Sequence, residues 1–158
     1  MTVVVRTAVA VALVVLAVSA AAGGSVPTEP RARVAHHLRE VTGLQRHFDG
    51  VMRDACPRFA STAEWTRHFE GEVERVVLLL AHLEQAWLEA KRTGDDDVRR
   101  TAKAPRQQLA NARPLLGKLS DCADDHGVSV SPFSLWRRIE REVPKRQAEI
   151  ALPLPKPN

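Results

Sequence analysis

Residues 65–90 constrain this chain more than any other stretch. Trp65, Phe69, Val73, Val76, Leu80, Leu83, Trp87 and Ala90 recur at steps of three and four for seven turns. Residues so spaced share one face of an α-helix. Val77, Leu79 and Leu88 widen that face to nearly half the circumference. A surface helix needs a narrower stripe, so this helix must touch at least two neighbours. Ser61 or Thr62 is placed to cap it, with Glu64 in the first turn. Lys91, Arg92 and Gly94 mark its end.

The remaining segments supply the neighbours. Val34, Leu38, Val41, Phe48, Met52 and Ala55 form a stripe over residues 31–59, which Pro57 terminates. Asp95-Asp96-Asp97 opens a third helix whose apolar face runs from Val98 through Ala102, Leu109, Leu116 and Leu119 to Ala123. Pro105 and Pro114 should kink or divide it, because proline removes a helical hydrogen bond. Gly127 stops it, and Ser131-Pro132 starts a fourth helix with Phe133, Trp136, Ile139 and Val143 as its stripe. Residues 151–158, ALPLPKPN, form a proline-rich extended tail. No alternating strand pattern, internal repeat or glycine-rich phosphate loop appears beyond the N-terminal segment. The expected fold is all-α: an antiparallel up-down four-helix bundle over residues 31–150, with a kinked third helix and one disulfide.

The N-terminus sets the expected compartment. Arg6 precedes an apolar run from Ala8 to about Ala22, and small residues at Val18-Ser19-Ala20 and Ala20-Ala21-Ala22 suit signal peptidase. The run spans 15 residues, whereas a membrane-spanning helix needs about 20. Residues 1–22 are read as a cleaved signal peptide and 23–30 as a linker, which makes the protein extracytoplasmic, periplasmic or secreted. An anchor kept in the membrane is the rival reading. Removing Arg6 from the 23 basic residues leaves 22 against 19 acidic ones, with the signs interspersed. A nucleic-acid partner would call for a basic face, so none is expected.

Two cysteines in an exported chain point to one disulfide. In an up-down bundle the first and third helices end on the same side. Cys56 and Cys122 therefore meet, and closing a loop of roughly 67 residues stabilises by about 4 kcal/mol. Cys122-Ala123-Asp124-Asp125-His126 lacks the second cysteine of the C-x-x-C-H haem motif. His37, inside the first helix's apolar stripe, is the single candidate axial ligand for non-covalent haem. No histidine or methionine on the fourth helix faces it at that height. Glu64, His68 and Glu72 stack at i, i+4 and i+8, a spacing that can hold one divalent ion. None of the Glu residues has the histidine three residues on that helical di-iron sites use, and no Ser-His-Asp arrangement suggests an enzyme.

Val41-Thr42-Gly43-Leu44-Gln45 resembles the Leu-Thr-x-x-Gln motif of small periplasmic chaperones over these five residues, departing at the leucine. The resemblance implies an exported helical protein that works by binding. The expected function is therefore a protein-interaction or chaperone-like accessory role in the cell envelope, without catalysis or a cofactor. The alternative is a haem or metal carrier built on His37 or on Glu64, His68 and Glu72.

Overall fold

A computed structural model describes residues 27–109 and 113–153 of the 158-residue chain. The expected signal peptide, half of the linker and most of the tail lie outside the described residues. Within them every regular element is helical: α1 (Pro30–Arg53), α2 (Thr62–Arg92), α3 (Asp96–Leu109), α4 (Arg113–Asp125) and α5 (Pro132–Ile150). No described helix is long and apolar enough to cross a membrane.

Local chemistry explains the helix ends. The Ser61 hydroxyl accepts the Glu64 N–H, and the Glu64 carboxylate reaches back to the Ala60 N–H. Two of the backbone donors at the start of α2 are satisfied this way. Asp95 likewise accepts from the N–H groups of Asp97 and Val98, and Ser131 from Ser134. Gly94 and Gly127 follow α2 and α4 with φ of 70° and 72°. That left-handed conformation is cheap only for glycine, so each closes its helix where the sequence indicated.

The apolar stripe of α2 lies at the centre of the molecule. Pairs Arg33–Glu89, His37–His82 and His47–Glu72 run α1 against α2, and Arg106–Glu84 does the same for α3. Glu70–Arg138 and Gln85–Gln147 set α5 alongside α2 in the same direction. Neighbours on three sides account for the buried set Glu72, Val73, Val76, Val77, Leu79, Ala81, His82, Leu83, Gln85, Ala86, Glu89 and Ala90, which wraps well beyond half the circumference. The main core joins Val41, Phe48, Trp65, Phe69, Leu79 and Leu83 to Leu116, Leu119, Leu135 and Ile139. A smaller cluster of Val34, Ala90, Val98 and Ala102 closes the end where α1 begins.

Two departures from the sequence reading have physical causes, and the third helix takes one of the two forms expected of it. Its described residues form two segments, with Pro105 inside α3 and Pro114 in the first turn of α4, where a missing N–H costs nothing. The first helix ends at Arg53, earlier than expected, so Cys56 lies in the following linker. On α5 the buried stripe is Leu135 and Ile139, whereas Phe133 is 75% exposed. At 100° per residue Phe133 points about 200° away from Leu135, so it cannot share that face.

Cys56 and Cys122, 66 positions apart in sequence, form a disulfide with Cα atoms 5.5 Å apart. Replacing both by serine should lower the unfolding free energy by about 4 kcal/mol, since the unfolded chain regains the entropy of that loop. Denaturant titration of the two forms checks the figure. A loss below about 1 kcal/mol would remove the disulfide from the list of major stabilising features.

Candidate functional site

The ends of α1 and α4, the start of α2 and the disulfide enclose a cavity of about 290 Å3. Its apolar wall is Val51, Trp65, Phe69, Leu119 and the cystine. Trp65 is fixed in that wall because its indole N–H donates to the Cys122 carbonyl at 3.2 Å. Phe69 packs against it with ring centroids 4.8 Å apart. Gly50 adds an open patch of backbone: a Cβ built there would meet only Asp54 Oδ2, at 4.0 Å.

Polar groups punctuate this wall. Glu72 is buried, as its place in the apolar face of α2 requires, and its two oxygens are satisfied by His47 Nε2 at 2.7 Å and Arg75 Nη1 at 2.9 Å. The carboxylate accepts in both bonds, so His47 Nε2 carries a proton. His126 Nε2 donates to the Pro57 carbonyl at 2.9 Å, which leaves its Nδ1 as an acceptor when the ring is neutral. Its ring meets Trp65 edge-on at 5.1 Å, and Phe59 covers both His126 and His68. Lys118 also lines the cavity and has no carboxylate within 4 Å among the described residues. The result is an apolar recess with a few convergent polar groups, the composition general to ligand and side-chain pockets.

The expected metal stack is taken up differently. Glu64 caps α2, Glu72 is bonded to His47 and Arg75, and His68 Nε2 stands 4.0 Å from Glu72 Oε1. Glu72 and His68 share the cavity wall, and Glu64 does not line it. Among the described residues no three His, Cys, Asp or Glu side chains gather in a way that could hold a metal ion.

At the opposite end the buried polar groups form one network. His37 is fully buried, and its Nδ1 lies 2.9 Å from Nδ1 of His82, also buried. Burial, then the nearby His82, pushes the His37 pKa down to about 4. Burial likewise lowers that of His82, although Glu40 works against it. One turn further out, the Arg33 guanidinium grips Glu89 through two bonds of 3.1 and 2.8 Å and donates to the carbonyls of Leu152 and Pro153. Burial alone would raise the Glu89 pKa, but Arg33, Gln85 and Arg92 together hold it below the usual carboxylate range. The chain end is thus clamped by a buried ion pair.

The sequence reading placed His37 on the core face of α1 but not its partner. His82 falls on the flank of α2 beside the wide stripe, and the apolar spacing singles out neither it nor Arg33 and Glu89. Their one available signal was position: Arg33 and His37 are four apart on one face, as are Gln85 and Glu89. The cavity wall was missed for a similar reason, since His126 and Lys118 approach Trp65 only through the tertiary fold. No family model, curated protein or solved structure matches this chain.

The two kinds of ion pair should respond differently to removal of one charge. Glu89→Gln leaves Arg33 buried beside a neutral amide and should cost about 3–5 kcal/mol. Glu70→Gln breaks an exposed pair with Arg138 and should cost less than about 1 kcal/mol. Chemical denaturation of both variants at neutral pH measures the contrast, and equal losses would contradict the assignment of Arg33–Glu89 as a buried pair.

Proposed function

We propose that this chain is an exported protein that acts by binding another protein outside the cytoplasm, and that the cavity beside the disulfide receives an apolar side chain of the partner. The cavity is the observation that carries this reading. It joins a rigid aromatic wall to polar groups in a recess large enough for one side chain and part of its backbone, the anchoring arrangement that dominates protein interfaces. Two further features of the same end support it. Met52, 43% exposed, and Phe133 lie at the end of α1 and the start of α5, so the largest exposed apolar side chains among the described residues belong to the disulfide end. The disulfide itself suits an oxidising compartment.

In the same reading residues 1–22 are removed on export, and α3 with α4 acts as one kinked third rod of an antiparallel up-down bundle. The helix directions around α2 support that arrangement. Catalysis has no place in it: the buried carboxylate Glu72 is occupied by His47 and Arg75, and the recess has no nucleophile beside a base.

Gly50→Leu tests the reading cleanly. The new side chain grows into the recess with no clash at Cβ, and replacing a glycine in the last turn of α1 adds at most about 1 kcal/mol of helix stability. The variant should be secreted and melt at or above the parent temperature. A photo-crosslinker at Lys118 in producing cells should give a discrete protein adduct in the parent and none in Gly50→Leu, while a crosslinker at Arg100 gives none in either. Adducts that persist in the filled variant would sink the reading. Intact mass of the secreted chain checks the cleavage near residue 22.

A further inference from the structure

The end of the molecule remote from the cavity holds its own device. His37 and His82 face each other across the α1–α2 seam, Nδ1 to Nδ1 at 2.9 Å, and His37 Nε2 is buried with no partner among the described residues. One proton lies between the two Nδ1 atoms. Unpaired buried acceptors are tolerated better than unpaired N–H groups, so His37 donates through Nδ1, its bare Nε2 lone pair carries the deficit, and His82 Nδ1 accepts.

This arrangement leaves no good site for a second proton. On His82 Nδ1 it would set two N–H groups against each other at 2.9 Å. On His37 Nε2 it would bury an N–H with no acceptor. The surroundings do not relieve either state. His36 lies 5.1 Å from the His37 ring and 6.4 Å from the His82 ring, and Arg33 adds a positive charge on the same helix. Glu89 attracts a proton on His37, and Glu40 one on His82, but Glu89 is already neutralised by Arg33. From α3 this end receives the apolar Val98 and Ala102, and from α5 the uncharged Gln147 through Gln85.

We propose that the His37–His82 pair is an acid-sensitive clasp: with both imidazoles neutral it holds α1 to α2, and proton uptake by the pair parts the two helices at this end and frees the C-terminal segment that Arg33 grips. The linkage has a definite sign. A histidine whose pKa is lower folded than unfolded contributes its full stability above the unfolded value of 6.5 and loses it as the pH falls towards the folded value of about 4. From His37 alone the unfolding constant should rise about twenty-fold between pH 7 and pH 5, with His82 adding in the same direction. Opening begins at the clasp because the remote end is held by the disulfide and the Trp65–Phe69 wall, neither of which titrates in this range.

Nitrogen-15 NMR on the intact disulfide-bonded protein, from pH 7.5 to 4, reads the imidazole tautomers and the amide protection together. The clasp predicts that His37 stays neutral to below pH 5 and that His82 also titrates below the ordinary histidine range. On titrating, amides of residues 33–41 and 79–90 should lose protection at least tenfold and the Leu152 amide signal should shift, while amides of 65–73 and 115–123 keep their protection. Replacing both histidines by leucine should flatten the stability of this end between pH 7 and 4.5 and abolish the selective opening. Ordinary histidine titration near 6.5, protection lost equally at both ends, or an unchanged acid response in the double variant would each overturn the proposal. The titration of the unaltered protein decides the question even if the variant fails to fold.

Discussion

Burial of α2 on three sides is the constraint from which the rest follows. A helix flanked by α1, α3 and α5 keeps only a narrow polar strip, Glu74 and Arg75 among it, in water along its middle turns. Glu72, His82, Gln85 and Glu89 are therefore carried into the interior together with the apolar stripe. Buried polar groups without partners cost more than the packing around them returns. Each of these four accordingly meets a complementary side chain: Glu72 meets His47 and Arg75, His82 meets His37, Gln85 meets Gln147, and Glu89 meets Arg33. Much of the register between α1 and α2 is written in the three pairs that cross between them, His47–Glu72, His37–His82 and Arg33–Glu89, since sliding one helix by a turn would break all three at once.

The same constraint divides the molecule into two chemically different ends. At the chain-end half, polar groups of α1 and α2 pair inside the seam and leave little room. At the disulfide half, α1 stops at Arg53 while α2 starts only at Thr62. The intervening residues bridge to α4 through Cys56 instead of packing as helix, and the space they leave is the cavity. A covalent link, a tryptophan pinned to a backbone carbonyl and a paired carboxylate make that recess rigid. Preorganised recesses of this kind bind with less ordering cost. The seam at the other end depends on neutral imidazoles and a gripped tail, interactions that a proton can undo.

What could be read in advance sorts by range. Ser61, Asp95, Ser131, Gly94 and Gly127 act within four residues of themselves, and each does in the structure what its position indicated. The cystine was also legible, because helix count and direction bring Cys56 and Cys122 to one side without any knowledge of side-chain contacts. Phe133 was misplaced because periodicity gives a face only to within about one residue, and in the short α5 stripe Leu135 outcompetes it. Glu64, His68 and Glu72 share one face as their spacing requires. Spacing could not disclose that a cap, a histidine on another helix and Arg75 would draw on the same carboxylates.

The sequence by itself determined the helices, their caps, the central role of residues 65–90 and the pairing of the two cysteines. These depend on backbone periodicity, local hydrogen bonding and chain direction, all of which are written in neighbouring residues. Only the tertiary structure decided that α5 lies along α2, that Arg33 holds the chain end, that His37 faces His82, and that His47, Lys118 and His126 surround one recess with Trp65. Those are meetings between residues 25 to 120 positions apart, and no local rule chooses among the many surfaces two amphipathic helices could press together. In the packing that results, His37 Nε2 is the one buried side-chain nitrogen or oxygen among the described residues without a hydrogen-bond partner.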